Sequence, residues 1–252
     1  MLALLLLACS KNGDSVADDT GPGDDSGEGI VYPDGNRILM YYGNGGFTTD
    51  IAGTGEFESI ATVWKKTYGW NTDSYDHWPD NIESYRLIAL IAPGWTGVVP
   101  FDDPSVALLQ GALDRGTRVV VVVERQECKN SAKSVNPLLA KLGVSWRMTG
   151  GAGDPFSIEE TNAVASGHQM TQNVSALRML DPCWADQGSA TILAADGDNN
   201  LISVAERPGN GGEVVFLGDI TIMDDTEVGG EHGFEHADNR ILLDNMVRIT
   251  WK

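Results

Sequence analysis

Val119, Val120, Val121, Val122 and Val123 stand together after Arg118, in the stretch RVVVVVE that ends at Glu124. An unbroken β-branched run of this kind is a strand buried on both faces. A strand with two dry faces needs a layer of helices on each side, so the run predicts a parallel sheet inside an α/β sandwich. The neighbouring segments agree. Residues 87–92, LIALIA, form a second continuous apolar run, stopped by Pro93 and Gly94. Between the two runs, Asp103 and Pro104 open a helix with Val106, Leu108, Leu109 and Leu113 turned inward and Gly116 as its stop.

Working outward, residues 37–42 (RILMYY) predict a first strand, ending at Gly43, Asn44, Gly45 and Gly46. Phe57, Ile60, Ala61 and Trp64 have the spacing of an amphipathic helix that begins at Phe57. Asn136 and Pro137 begin a helix over residues 138–142, closed by Gly143, and residues 144–148 predict a short strand. From about 150 to 205 the chain is rich in Gly and Asp. This stretch predicts a small irregular β insertion, with residues 190–194 and 201–205 as a pair. Residues 212–219, GEVVFLGD, predict the last central strand. A closing helix over 238–251 carries Ile241, Leu242, Met246, Val247 and Ile249, with Asp238 as its cap. Strands and helices alternate without an internal repeat, which predicts a doubly wound, mostly parallel sheet.

Composition narrows the function classes. The chain has 252 residues, with 17 Lys+Arg against 36 Asp+Glu and a formal net charge of −19. Phosphate backbones are bound by clustered cations, so nucleic acid is excluded as a partner. Electrostatic docking on anionic lipid is excluded for the same reason. Residues 2–8, LALLLLA, are too few for a membrane-spanning helix, which needs about 20. They suit the apolar core of a signal peptide over residues 1–8. Leu6, Leu7, Ala8 and Cys9 resemble a bacterial lipobox, although no Lys or Arg precedes the apolar run. The resemblance implies cleavage before Cys9 and a diacylglycerol on its thiol. Residues 10–29 carry six acids against Lys11, a net charge of −5, and no apolar period. With Cys9 they predict a disordered acidic linker over residues 9–35 that tethers a domain over residues 36–252. The expected setting is the envelope of a bacterium. The lipid sits in the outer membrane and the domain in the periplasm or at the cell surface. Cys128 and Cys183 remain as an exported pair: either a disulfide closing a loop of about 55 residues, or two separate thiols.

Three stretches together resemble the class I glutamine-amidotransferase-like (flavodoxin-like) superfamily. They are YRLIALIAPG (85–94), GALDRGTRVVVVVE (111–124) followed by NPLLAKLGVSW (136–146), and GEVVFLGDITIMDD with ADNRILLDNMVRIT (212–225 and 237–250). More narrowly they resemble its non-catalytic domains in ABC-transporter auxiliary and gliding-motility proteins. Catalytic members use a Cys on a tight strand-to-helix elbow, activated by a His and a Glu. Here the five-valine strand runs on through Glu124 to Cys128 without a G-x-C-x-G elbow, and no late His-x-Glu pair follows. The resemblance therefore implies a domain that has lost the chemistry.

Other candidate sites come from the residues. Ligands of such sheets bind at the carboxyl ends of the strands. That makes Asn44, Trp95, Glu124 and Asp219 the rim of a pocket. His232 and His236 are four apart and, on a helix, would share a face able to hold a divalent metal with Asp219. Gly229, Gly230 and Gly233 speak instead for a solvated acidic loop. Residues 70–78, WNTDSYDHW, offer aromatics beside polar groups: two indoles pinning a loop, a partner surface, or a glycan grip. No nucleotide or other cofactor motif is present; Gly43 to Gly46 lack the G-x-G-x-x-G spacing. The sequence thus predicts an anchored module that binds an envelope protein or glycan. The alternative is a metal- or carboxylate-dependent hydrolase acting on envelope carbohydrate through the Asp219 to Asp238 loop.

Overall fold

A computed structural model describes residues 36–46, 57–124, 127–151, 158–196, 200–209, 211–223, 225, 227–228 and 231–248. The signal peptide, Cys9 and the acidic linker lie outside the described residues, as does the end of the closing helix beyond 248. The elements in chain order are β1 (Arg37–Tyr41), α1 (Glu58–Tyr68), β2 (Asn71–Tyr75), β3 (Tyr85–Ile91), α2 (Asp103–Asp114), β4 (Arg118–Val122) and α3 (Cys128–Lys141). Then follow β5 (Met148–Gly151), β6 (Ile158–Thr161), β7 (Leu177–Leu180), β8 (Cys183–Ala185), β9 (Thr191–Asp196) and β10 (Asn200–Glu206). The last are β11 (Val214–Leu217), β12 (Glu227–Val228), β13 (Glu231–His232) and α4 (Asn239–Val247).

The sheet runs β2-β1-β3-β4-β11-β10-β8-β5, with β9 beside β10. The first five strands are parallel to one another. β4 lies between β3 and β11, and all five valines from Val119 to Val123 are fully buried. Their alternation divides the two cores. Val120 and Val122 face Phe57, Ile60 and Trp64 of the α1 region and Leu242, Leu243 and Met246 of α4. Val119, Val121 and Val123 face Leu109 and Leu113 of α2 and Val135, Leu138 and Leu139 of α3. The fold is the doubly wound α/β sandwich that the valine run required.

Three expectations are corrected. First, the stretch from about 150 to 205 is not only an insertion beside the sheet: β10, β8 and β5 extend it by antiparallel pairing from β11. β6 and β7 form a separate two-stranded sheet, while β9 and β10 pair as expected. Second, α3 starts at Cys128 rather than Asn136, with Pro137 inside it. Its buried face is built from Cys128, Ser131, Ser134, Val135, Leu138 and Leu139, so two serines stand where helical periodicity calls for apolar residues. Ser131 packs where β3 gives way to its loop. A Cβ on Gly94 would come within 2.8 Å of the Asn130 backbone, so the two segments nearly touch. Pro137 removes the bond to the Lys133 carbonyl, and both residues lie on the exposed side of the helix. Third, no ladder forms over 144–147. Ser145 N–H donates to Glu206 Oε2 (2.7 Å) and Arg147 N–H to Asp186 Oδ1 (2.6 Å), so side chains take up the backbone donors. Pairing begins only at Met148.

Candidate functional site

The carboxyl ends of β1 and β3 are closed by their own loops. Asn44, at φ +55°, accepts a hydrogen bond from Tyr41 Oη (2.9 Å) and donates one to the Pro100 carbonyl (3.1 Å). Gly94 N–H donates to Asn44 O (3.1 Å), and Thr96 N–H donates to Gly45 O (2.9 Å). A Cβ on Gly46 would stand 2.5 Å from the Ile91 carbonyl oxygen, so this crossing tolerates only glycine. Trp95 packs, partly buried, on the core beneath α1 and α4. Tyr41 stacks on Trp78 with ring centroids 3.8 Å apart, and Trp78 Nε1 donates to Ser105 Oγ (2.8 Å). Burial, aided by the charges of Asp102 and Asp76, pushes the Tyr41 phenol up to about 12. Trp70 is buried in the core. The two indoles therefore fasten the 70–78 segment to the domain. Above them, Val98 and Val99 are 43% and 41% exposed, an apolar pair at the top of the rim.

At the end of β4 the chain passes through buried Glu124 into α3. The first residue of that helix, Cys128, is joined to Cys183 of β8, with Cα atoms 5.6 Å apart. Both cysteines are buried. Cys183 Sγ lies 3.6 Å from the Glu124 carbonyl oxygen, and a Cβ on Gly151 would fall 2.5 Å from Cys128 Sγ. A sulfur in a disulfide has no thiolate form and cannot attack a carbonyl. The crossing from β4 into α3 is thus closed by a covalent bond.

Asp219 follows β11 and is fully buried. Its carboxylate accepts from Leu180 N–H (2.5 Å), from Thr221 N–H (3.2 Å) and from the Thr221 hydroxyl. It therefore caps the short turn over Ile220–Ile222 and holds the end of β7. His236 is buried, its Nδ1 3.2 Å from a guanidinium nitrogen of Arg178. The His232 side chain lies outside the described residues; its backbone pairs with Glu227. Among the described residues no three His, Cys, Asp or Glu side chains converge on a metal position. Asp238 does not cap α4 with its side chain. Its carboxylate accepts instead from Ser175 N–H (2.6 Å) and Ala176 N–H (3.2 Å), pinning the loop before β7.

The opposite edge of the sheet holds an arrangement that the sequence reading passed over. Arg118 opens β4 and Glu213 immediately precedes β11, so the parallel pairing of Val119 with Val214 makes them neighbours. Arg118 donates through Nε to Glu213 Oε2 (3.0 Å) and through a terminal nitrogen to the Met246 carbonyl at the end of α4 (2.5 Å), and its other terminal nitrogen forms an ion pair with Glu213 Oε2 (2.9 Å). A cation on the last carbonyls of a helix also meets the negative end of its dipole. His168 Nδ1 accepts from Met170 N–H (3.2 Å), so its Nε2–H donates to Glu213 Oε1 (2.9 Å). Burial works to raise the Glu213 carboxyl. The His168 hydrogen bond and the Arg118 charge overcome it and hold the group below the usual glutamate range. Burial draws the Arg118 guanidinium below its ordinary value, against the pull of Glu213. Beside this pair opens a cavity of about 490 Å³, lined by Gly167, His168, Gln169, Thr191, Arg207 and Glu213. The signal was present: a charged residue at the start of each of two fully apolar strands calls for a partner.

No family model and no curated protein matches the chain. Solved structures do. The mmIFT52 N-terminal domain superposes at TM-score 0.59 with 13% identity, covering 83% of this chain and 95% of that one. A ThuA-like protein from Bacteroides uniformis superposes at TM-score 0.53 with 13% identity, covering 90% of this chain and 94% of that one. The likeness to both is one of the α/β fold. A glutamine amidotransferase from Thermotoga maritima aligns more loosely, at TM-score 0.47 with 14% identity over 73% of this chain and 74% of that one. At such identities the likeness is one of fold and carries no activity across.

Proposed function

We propose that this chain is a lipid-anchored protein of the bacterial envelope whose ThuA-like domain is a binding module without amidotransferase chemistry. The observation that carries this reading is the Cys128–Cys183 bond at the β4-to-α3 crossing. An oxidised, buried sulfur at the cysteine that follows the five-valine strand supports a domain without thiol chemistry. Stable disulfides also belong to oxidising compartments outside the cytoplasm. The apolar run over residues 2–8, the lipobox-like Leu6 to Cys9 and the acidic linker support the same compartment. Val98 and Val99 at the carboxyl rim, above loops locked by their own hydrogen bonds, offer the face for an envelope protein or glycan.

Membrane fractionation with intact-mass measurement tests the anchor. The wild-type chain is expected in the membrane fraction, cleaved before Cys9 and heavier by a lipid. Cys9→Ala is expected in the soluble fraction. Retention of Cys9→Ala on membranes, or a Cys9 without lipid, overturns the anchor. Ammonia release from glutamine by the wild type that disappears in Cys128→Ala overturns the non-catalytic assignment.

A further inference from the structure

His168 is held through both ring nitrogens, and the two bonds respond to a proton in opposite ways. Nε2–H donates to Glu213 Oε1 (2.9 Å), and Nδ1 accepts from Met170 N–H (3.2 Å). The second bond caps the short turn over Gln169–Thr171 and needs a lone pair on Nδ1. In an imidazolium both nitrogens are donors, so Nδ1–H would face Met170 N–H, donor against donor. Toward Glu213 the same proton turns a hydrogen bond into a charge-assisted one. The ring is therefore kept on the Glu213 side, and the turn must give way.

The turn is seated on the closing helix. Met170 is fully buried in the core that it shares with Leu242 and Met246 of α4. The Met170 and Gln172 carbonyls accept from Asn245 Nδ2 of the same helix (3.1 and 2.7 Å). The His168 side chain is 16% exposed at the cavity wall, so protons reach it. The Glu213 carboxyl is held below the usual glutamate range, so it stays ionised while an imidazole titrates. Among the described residues, the charged groups on this side are Glu213 before β11, Arg118 of β4 behind it, and Arg207 after β10, which shares the cavity lining. On α4, Asp244 and Arg248 are turned elsewhere, to Arg240 and to Tyr68. β9 contributes the uncharged Thr191 to the same cavity.

We propose that His168 is an acid-operated latch. Neutral, it caps the 169–171 turn against α4; protonated, it keeps Glu213 and releases the turn. The latch acts within the domain, with or without the lipid anchor.

Nuclear magnetic resonance of the isotopically labelled full chain tests this between about pH 8 and 5, the range in which an imidazole ordinarily changes charge. The His168 ring is expected as the Nε2–H tautomer at the upper end and as the imidazolium at the lower. Exchange of the Met170 amide, corrected for its intrinsic rate and referred to the amides of β4, is expected to speed about tenfold over the same step and with the same midpoint. Two variants separate the two bonds. His168→Asn places an amide oxygen where Nδ1 stands and does not titrate, so the Met170 amide is expected to stay protected throughout. His168→Gln keeps a donor for Glu213 and loses the cap, so the Met170 amide is expected to exchange fast throughout. A ring that holds one protonation state across the range overturns the latch. So does a ring that takes up its proton while the wild-type Met170 amide keeps its protection, or a Met170 amide in His168→Asn that speeds as the wild type does.

Discussion

Replacing Cys128 and Cys183 together by alanine opens a covalent loop whose ends are 55 residues apart in sequence. On the chain-entropy model, releasing a loop of that length frees about 14 cal/mol/K in the unfolded chain, or about 4 kcal/mol at 25 °C. The native state loses little packing, because alanine keeps both Cβ atoms. At about 2–4 °C per kcal/mol for a domain of this size, the melting temperature is expected to fall by roughly 8–16 °C. Urea and thermal unfolding of the oxidised wild type, the reduced wild type and the double alanine variant measure it. The last two are expected to lie close together and well below the first. Two refutations are open. Alkylation of Cys128 and Cys183 in the native protein without reductant would show that the bond does not form. A loss below about 1 kcal/mol would show that it does not restrain the unfolded chain as reasoned.

Gly151→Ala is expected to cost about 1–3 kcal/mol in the oxidised protein, because its Cβ would meet Cys128 Sγ at 2.5 Å. In a Cys128→Ala background most of that loss is expected to vanish, which a double-mutant cycle on urea midpoints reads directly. Glu213→Gln leaves buried Arg118 without its counter-ion and is expected to cost about 3–5 kcal/mol. The pH dependence has a fixed sign. The folded-state carboxyl titrates below the usual glutamate range, so its stabilisation is complete above that range and is lost as pH falls through the folded value. Glu213→Gln is expected to flatten that acid limb of the stability curve. At the alkaline end the Tyr41 phenol titrates at about 12, above an ordinary tyrosine. The folded state keeps its proton longer, so stability is expected to fall between about pH 10 and 12, and less steeply in Tyr41→Phe.

The parallel half of the fold was legible because burial on both faces leaves a mark in one dimension. Val119 to Val123 and residues 87–92 could not be half-exposed strands, and Asp103 with Pro104 marked the start of a helix. The start of α3 was hidden because its buried face uses two serines: Ser131 beside the close approach of Gly94, and Ser134, whose Oγ accepts from Val99 N–H (3.1 Å). The antiparallel continuation through β10, β8 and β5 was hidden for another reason. Short strands with irregular register carry no local sign of which neighbour they join. At the carboxyl rim, Asn44, Trp95, Glu124 and Asp219 were rightly placed near strand ends. Their side-chain partners are set by loops distant in sequence, such as Pro100 for Asn44 and Leu180 for Asp219. Arg118 and Glu213 lie 95 positions apart and become a pair only once β4 and β11 are known to be neighbours.

The seat of β11 between β4 and β10 sets an order of events for the growing chain. β3 and β4 can pair early, on one side. The other edge of β4, five valines with every backbone donor and acceptor unmet on that flank, stays open until residues 214–217 arrive about 90 positions later. An apolar edge of that kind is a template for another chain's strand. A chain cut short before Val214 would hold most of the domain and still present that template. The molecule's protection against self-association therefore rests on four residues, Val214, Val215, Phe216 and Leu217, that are made about 90 positions after the edge they cover.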